Sequence, residues 1–350
     1  MHIAIDVREA LRPRKTGKGV WVRGLVEALR TREIDLTFIT DTPVPNEWHT
    51  AKHRELVVPG TGLLWHLHVA TALRRIPDLH CYVSTVSYLV PAIAGKRVAC
   101  ATVVHDLIAF RREPHERRAR WIERLTLGLA LRRSTHILAI SESTKRDLLA
   151  RYPSIDSKNV TAIFAGPFRE HPPLNEPHGQ FILCAATLCP RKNQKQLIEG
   201  YASLPSSLKT FQLILIGSRG WRDGEIVDLA RKTPGVVWKQ YVPDAEYEHL
   251  LSTCTVFALP SLYEGFGMQI LDALSRGIPI LTSDRGSLKE VADGAALIVD
   301  PGSTASIAAG LERLLADADL QMELREKGPK QAKKYTWDRT ADLLLQALRH

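Results

Sequence analysis

Between residues 181 and 315 short apolar runs alternate with helical patterns, and nothing else in the chain limits its fold as strongly. The runs stand at 181–187, 211–216, 236–242, 256–259, 279–282 and 296–299. Apolar residues recur at helical spacing over 193–204, 223–232, 244–252, 268–276 and 304–315. Short runs that stay apolar throughout read as strands buried on both faces, and the helices between them make the sheet parallel. The first half repeats the pattern less cleanly. Strands are expected there at 2–7, 36–40, 98–104 and 136–140, and helices at 20–30, 115–133 and 143–151. Pro172, Pro173, Pro177 and Gly179 mark a linker between the halves. The expected class is α/β, with two Rossmann-like domains facing each other across a cleft. Their bounds are 1–168 and 178–335, and a helix within 336–350 packs back on the first domain. Ligands of such sheets bind at the carboxyl ends of the strands.

A length of 350 residues suits two domains, and 24% charged residues argue against wholesale disorder. The five cysteines are odd in number and none has C-x-x-C spacing, which points to free thiols in a reducing compartment. The first apolar run is too short for a signal peptide, and no stretch reaches the roughly 18 apolar residues of a membrane span. A cytoplasmic protein is expected. Its charge is uneven: residues 1–170 carry 27 Lys and Arg against 17 Asp and Glu, and the rest carry 20 against 21. The first half therefore wants an anionic partner. Aromatics are 7% of the chain and do not interleave with the basic stretches, so nucleic acid is not that partner.

Four segments carry chemistry. Pro260-Ser261-Leu262-Tyr263-Glu264-Gly265-Phe266-Gly267 runs from a strand end into a helix that contains Asp272. Glycines there let backbone N–H groups approach a ligand, and a carboxylate at the mouth accepts hydrogen bonds from sugar hydroxyls. Asp272 lies two helical turns beyond Glu264 and faces the same way. Pro190-Arg191-Lys192-Asn193 sets two cations just before a helix, an arrangement suited to a diphosphate. His105 ends the strand at 98–104. Gly17-Lys18-Gly19 follows the first strand and opens a helix. Asp317-Ala318-Asp319 follows a helix and reads as a solvated turn, and no His/Cys cluster has ligand spacing, so no metal is expected.

With these segments the chain resembles retaining glycosyltransferase family 4, which has the B-type two-domain fold (GT-B). The resemblance rests on Glu264, Gly265-Phe266-Gly267 and an acid eight residues after the first; here that acid is Asp272 rather than Glu. It spans essentially the whole chain and is densest over 181–301. It implies metal-independent transfer of a hexose from a nucleotide-sugar, with no cofactor. GDP-mannose is the first expected donor, on the Pro-Arg-Lys-Asn form, and UDP-glucose the next. The acceptor is a glycan or a lipid-linked glycan. By the same resemblance, His105, Arg191, Lys192 and Glu264 are the catalytic set, with Arg191 and Lys192 clamping the diphosphate. Gly17 and Gly19 lie over the donor phosphates. Gly217, Ser218, Tyr241 and Val242 hold the base, Gly265, Phe266 and Gly267 the sugar, and Asp272 the ribose. Glu264 is expected on the surface, and Asp272→Glu to be tolerated. Phosphorylases and epimerases of the same architecture are the alternative enzymes.

One segment of the basic half stands apart. Arg117, Arg120 and Arg124 recur at helical spacing beside an apolar stripe of Trp121, Leu125 and Leu129. The expectation is peripheral contact with an anionic membrane at its inner face, made by the helix of Arg117, Arg120, Arg124 and Trp121, or else a stripe turned to the core with a solvated arginine face.

Overall fold

The computed structural model describes residues 1–13, 16–111, 117–168 and 179–349, with backbone only at 117–119. Pro172, Pro173 and Pro177 of the expected linker, and the side chain of Arg117, lie outside the described residues. The chain divides into two compact units, one made of 1–111, 117–168 and 335–350, the other chiefly of 169–334.

In the first unit the elements run β1 (His2–Asp6), α1 (Gly17–Arg30), β2 (Asp35–Thr40), β3 (His53–Val57), α2 (Gly62–Ala72) and β4 (Cys81–Ser84). They continue with α3 (Leu89–Ala94), β5 (Cys100–Val104), α4 (Arg117–Arg133), β6 (His136–Ala139), α5 (Glu142–Arg151) and β7 (Val160–Ala162). All seven strands pair in parallel, in the order β3-β2-β1-β4-β5-β6-β7. Parallel strands need crossovers, and the helices supply them while covering the sheet.

In the second unit come β8 (Phe181–Ala185), α6 (Gln194–Ala202), β9 (Gln212–Ile216), α7 (Gly224–Lys232), β10 (Val236–Trp238) and α8 (Asp244–Thr253). Then follow β11 (Val256–Leu259), α9 (Met268–Ser275), β12 (Ile280–Ser283), α10 (Leu288–Ala292), β13 (Leu297–Val299), α11 (Thr304–Ala316) and α12 (Ala318–Ala332). This sheet is also parallel, in the order β10-β9-β8-β11-β12-β13. The strand expected over 236–242 stops at Trp238, because Gln240 turns into the left-handed region at φ 59°. Tyr241 and Val242 therefore stand in a loop.

A last helix, α13 (Trp337–Arg349), returns to the first unit. Trp337 fills space that two glycines leave. A Cβ on Gly24 of α1 would lie 2.3 Å from its ring, and one on Gly166 would lie 2.7 Å from it. The indole N–H donates to the Pro167 carbonyl at 2.8 Å. Arg32 pairs with both Asp338 and Asp342 on the exposed side of α13.

In helix α4 the apolar stripe is not turned to the core. Trp121, Leu125 and Leu129 face solvent, while Leu127, Ala130 and Leu131 pack into the core with α3 and β6. Two of its arginines are engaged with backbone. Arg120 donates to the carbonyls of Ala109 and Arg111, and Arg124 to that of Ala109 at 2.7 Å. Both side chains tie α4 to the 3-10 turn Ile108–Phe110.

Candidate active site

Strand β11 ends at Leu259, and the chain crosses the top of the sheet through Pro260–Gly267 before α9 begins. Gly267 makes the turn at φ 89°, where a side chain would meet Leu288. A second glycine supports the loop from the β12–α10 connection. A Cβ on Gly286 would lie 2.2 Å from the Glu264 carbonyl oxygen, and Ser287 donates to that oxygen from its N–H at 3.1 Å.

The neighbouring strand β8 leads into Ala186–Cys189 and a 3-10 turn, Pro190–Lys192. Asn193 follows in the left-handed region at φ 61°, a conformation asparagine tolerates. Its buried amide donates to the carbonyls of Pro260 at 3.0 Å and Pro301 at 2.8 Å. With Leu262 N–H donating to Arg191 O at 2.8 Å, the two strand-end loops are clipped together.

This clip sets three charged groups in contact. Lys192 Nζ donates to Glu264 Oε1 at 2.6 Å, and Arg191 Nη1 to Glu264 Oε2 at 2.8 Å. Arg191 also reaches the Tyr263 carbonyl at 2.7 Å. Contrary to the expected surface carboxylate, Glu264 is 7% exposed and Lys192 6%. Burial alone would push the Glu264 carboxyl up; the Arg191 and Lys192 cations overcome it and hold the pKa at about 2. The cluster carries two positive charges against one negative, and Arg191 keeps about a quarter of its side chain in solvent.

Asp272 takes a different position from the one its spacing suggests. It has no exposed surface. Oδ1 accepts from Arg276 at 2.5 Å and Oδ2 from the Tyr247 hydroxyl at 3.0 Å, while Arg276 also pairs with Glu248 at 2.6 Å. The i,i+4 spacing of Asp272 and Arg276 is the signal in the sequence that announces this pair. The clip residue Asn193 had only its tolerance of left-handed backbone to give it away.

Gly217 is glycine for packing reasons. At φ 142° its missing Cβ would lie 2.0 Å from the Ala186 carbonyl oxygen, and its N–H donates to Gln240 O at 2.7 Å. Ser218 O accepts from Leu188 N–H at 3.0 Å, next to the β8 loop. Tyr241 is exposed.

In the first unit His105 follows β5 and is buried beside Trp21, with ring centres 5.1 Å apart and edge to face. Nε2 lies 2.7 Å from the Thr85 carbonyl oxygen, which only accepts, so the ring is protonated at Nε2 and Nδ1 keeps a lone pair. Burial, reinforced by Lys18, lowers its pKa to about 4. Gly19 needs to be glycine because a Cβ would sit 2.4 Å from the Glu9 carbonyl oxygen. Its amide is spent on the Thr16 hydroxyl at 3.0 Å, a helix N-cap, rather than left open to a phosphate. Gly17 has open space around its Cα. Asp317 likewise caps α12, accepting from Leu320 N–H at 2.9 Å. Among the described residues no group of three or more His, Cys, Asp or Glu is placed to hold a metal ion.

Two family models match the chain in sequence. Residues 16–166 match the model described as glycosyltransferase family 4, and residues 169–331 match that of glycosyl transferases group 1. The chain belongs to glycosyltransferase family 4. Its two parallel-sheet α/β domains have the GT-B fold of that family's enzymes. The O-antigen chain mannosyltransferase B of Escherichia coli is 35% identical over 162 residues, which are 45% of this chain and 42% of that protein. The match thus spans less than half of that relative's length. Sucrose-phosphate synthase from Thermosynechococcus elongatus superposes with a TM-score of 0.80 at 18% identity, over 100% of this chain and 98% of that one. Anabaena HepE, solved with UDP and glucose, gives 0.79 at 15% identity, over 100% and 99%. No described helix of this glycosyltransferase is long and apolar enough to cross a membrane.

Proposed function

We propose that this glycosyltransferase moves a hexosyl group from a nucleotide-sugar to a glycan or lipid-linked glycan, with retention and without a metal. The observation that carries the reading is the Arg191–Glu264–Lys192 cluster at the paired strand ends of β8 and β11. Breaking the anomeric C–O bond places charge on the departing diphosphate. Cations already fixed by a carboxylate, together with backbone N–H groups at the start of α9, meet that charge with little reorganisation. A bound diphosphate draws Arg191 and Lys192 partly from Glu264, and the carboxylate is then free to accept hydroxyls of the sugar. In the first unit, His105 Nδ1 keeps a lone pair that can accept a hydroxyl. With departure and attack on one face of the sugar, the leaving phosphate oxygen takes the acceptor's proton.

Mannose from GDP-mannose is the first choice of donor, supported by the E. coli mannosyltransferase relative; UDP-glucose is the second, supported by the ligands of HepE. A thermal-shift screen against GDP-, UDP-, ADP- and dTDP-sugars tests the donor, since binding raises the midpoint with ligand concentration over Kd. A product assay that finds free sugar phosphate in place of a glycoside would make the chain a phosphorylase. Contact of the first unit with an anionic membrane completes the proposal, supported by its excess of cations.

A further inference from the structure

Thirteen large apolar side chains are exposed among the described residues, and seven of them lie on two helices of the first unit. Helix α2 exposes Leu63, Leu64 and Leu67; helix α4 exposes Trp121, Ile122, Leu125 and Leu129. Leu64 is 63% exposed, Trp121 65% and Leu125 73%, far above what chance scatter of single apolar residues explains when they cluster. The helices are not stray. The opposite face of α2 sends Trp65, Val69, Ala70 and Leu73 into one core cluster, and Leu127, Ala130 and Leu131 of α4 enter another. The short helix α3 packs against both, giving Val90 and Ala94 to the first cluster and Ala92 to the second. The two stripes therefore flank α3 on one face of one sheet.

Charge identifies what covers them. Residues 62–75 contain Arg74 and Arg75 and no acid, and α4 contains six arginines and one acid, Glu123. The sequence of these segments carries eight arginines against one carboxylate, together with seven exposed apolar side chains, and this composition matches the boundary of an anionic bilayer, where apolar groups enter below the headgroups and cations stay among them. An indole such as that of Trp121 is suited to that depth. A second copy of the chain fits poorly, because a two-fold contact would set this cationic face against itself.

We infer that the α2–α4 face is a monotopic membrane-docking surface, in which Leu63, Leu64, Trp121 and Leu125 insert and the arginines frame them. The inference deepens the membrane contact proposed above and rests on it. It differs in the agent: Arg120 and Arg124 are tethered to backbone carbonyls, so apolar insertion holds the protein and charge assists.

The test is sedimentation of the full chain with phosphatidylglycerol/phosphatidylethanolamine vesicles, and with phosphatidylcholine vesicles, at low and high salt and without any sugar donor. Wild type should bind the anionic vesicles, weaken in high salt and keep a residual bound fraction. Trp121→Gln with Leu125→Gln, and Leu63→Gln with Leu64→Gln, should each cut partitioning by about tenfold or more. Both variants replace exposed side chains, so their melting temperatures and turnover on a soluble acceptor should stay at wild-type levels. Wild type that ignores anionic vesicles, or variants that bind as it does, would overturn the inference. So would a wild-type dimer in analytical ultracentrifugation that the same variants dissociate. Sugar transfer is read separately, so an inactive protein that docks leaves this inference standing, and an active one that does not dock removes it.

Discussion

The Lys192 ammonium lies 2.6 Å from Glu264 Oε1, and both side chains are almost wholly withdrawn from water. Removing one partner strands the other. Glu264→Gln should therefore destabilise the second unit by about 3 kcal/mol, because a buried cation loses its counter-charge. Lys192→Met in the same chain should return much of that loss. Urea unfolding of the two single variants and the double variant measures the coupling; additive losses would show that the pair is not a unit. Lys192→Ala should also cut turnover by about a hundredfold or more, as expected for a charge-assisted contact with a leaving diphosphate.

For Asp272→Glu the structure leads to the opposite of the tolerance that the family resemblance implies. Since it has no exposed surface and Arg276 and Tyr247 occupy both its oxygens, Asp272→Glu adds a methylene to a filled interior. A loss of about 1–3 kcal/mol should follow, seen as a lowered urea midpoint with the slope unchanged. An Asp272→Glu protein as stable as wild type would mean that the pocket has slack that the structure does not have.

His105 gives a pH dependence whose sign is fixed by its lowered pKa. The unfolded ring takes a proton near 6.5, whereas the folded one holds out to about 4. Its contribution is complete above pH 6.5 and is lost as the pH falls towards 4, amounting to roughly 3 kcal/mol at most. His105→Gln should flatten the stability curve between those values. Melting profiles of variant and wild type that run parallel from pH 7 to 4 would reject this.

Turnover in excess EDTA should equal turnover with Mg²⁺ if Arg191, Lys192 and helix amides alone meet the charge on the diphosphate. Loss of activity in EDTA that Mn²⁺ restores would contradict the metal-free proposal.

Strand-helix alternation was legible wherever burial on both faces left strands as unbroken apolar runs; β11 falls at the expected residues, 256–259. Helix α2 was not, since Leu63, Leu64 and Leu67 erase the contrast between its faces that a period needs. Strands β4 and β7 were not read either; Ser84 and Thr161 interrupt their apolar runs. Nor was helix α12 read; it runs through Gly328 and Pro329 to Ala332. The residue types of the candidate site were legible from their strand-end positions. Their pairing was not: Glu264 meets Arg191 and Lys192 from more than seventy residues away, through a clip built on Asn193. Burial of Glu264 and Asp272 follows from that tertiary closure, which local spacing does not encode.

The seat of Trp337 between Gly24 and Gly166 also orders events in time. The first unit takes its closing helix from residues that leave the ribosome only after the whole second unit has emerged. Until then the groove that those two glycines leave open is bare of its indole. The first unit is thus begun first and finished last, and the chain of the second unit emerges in between.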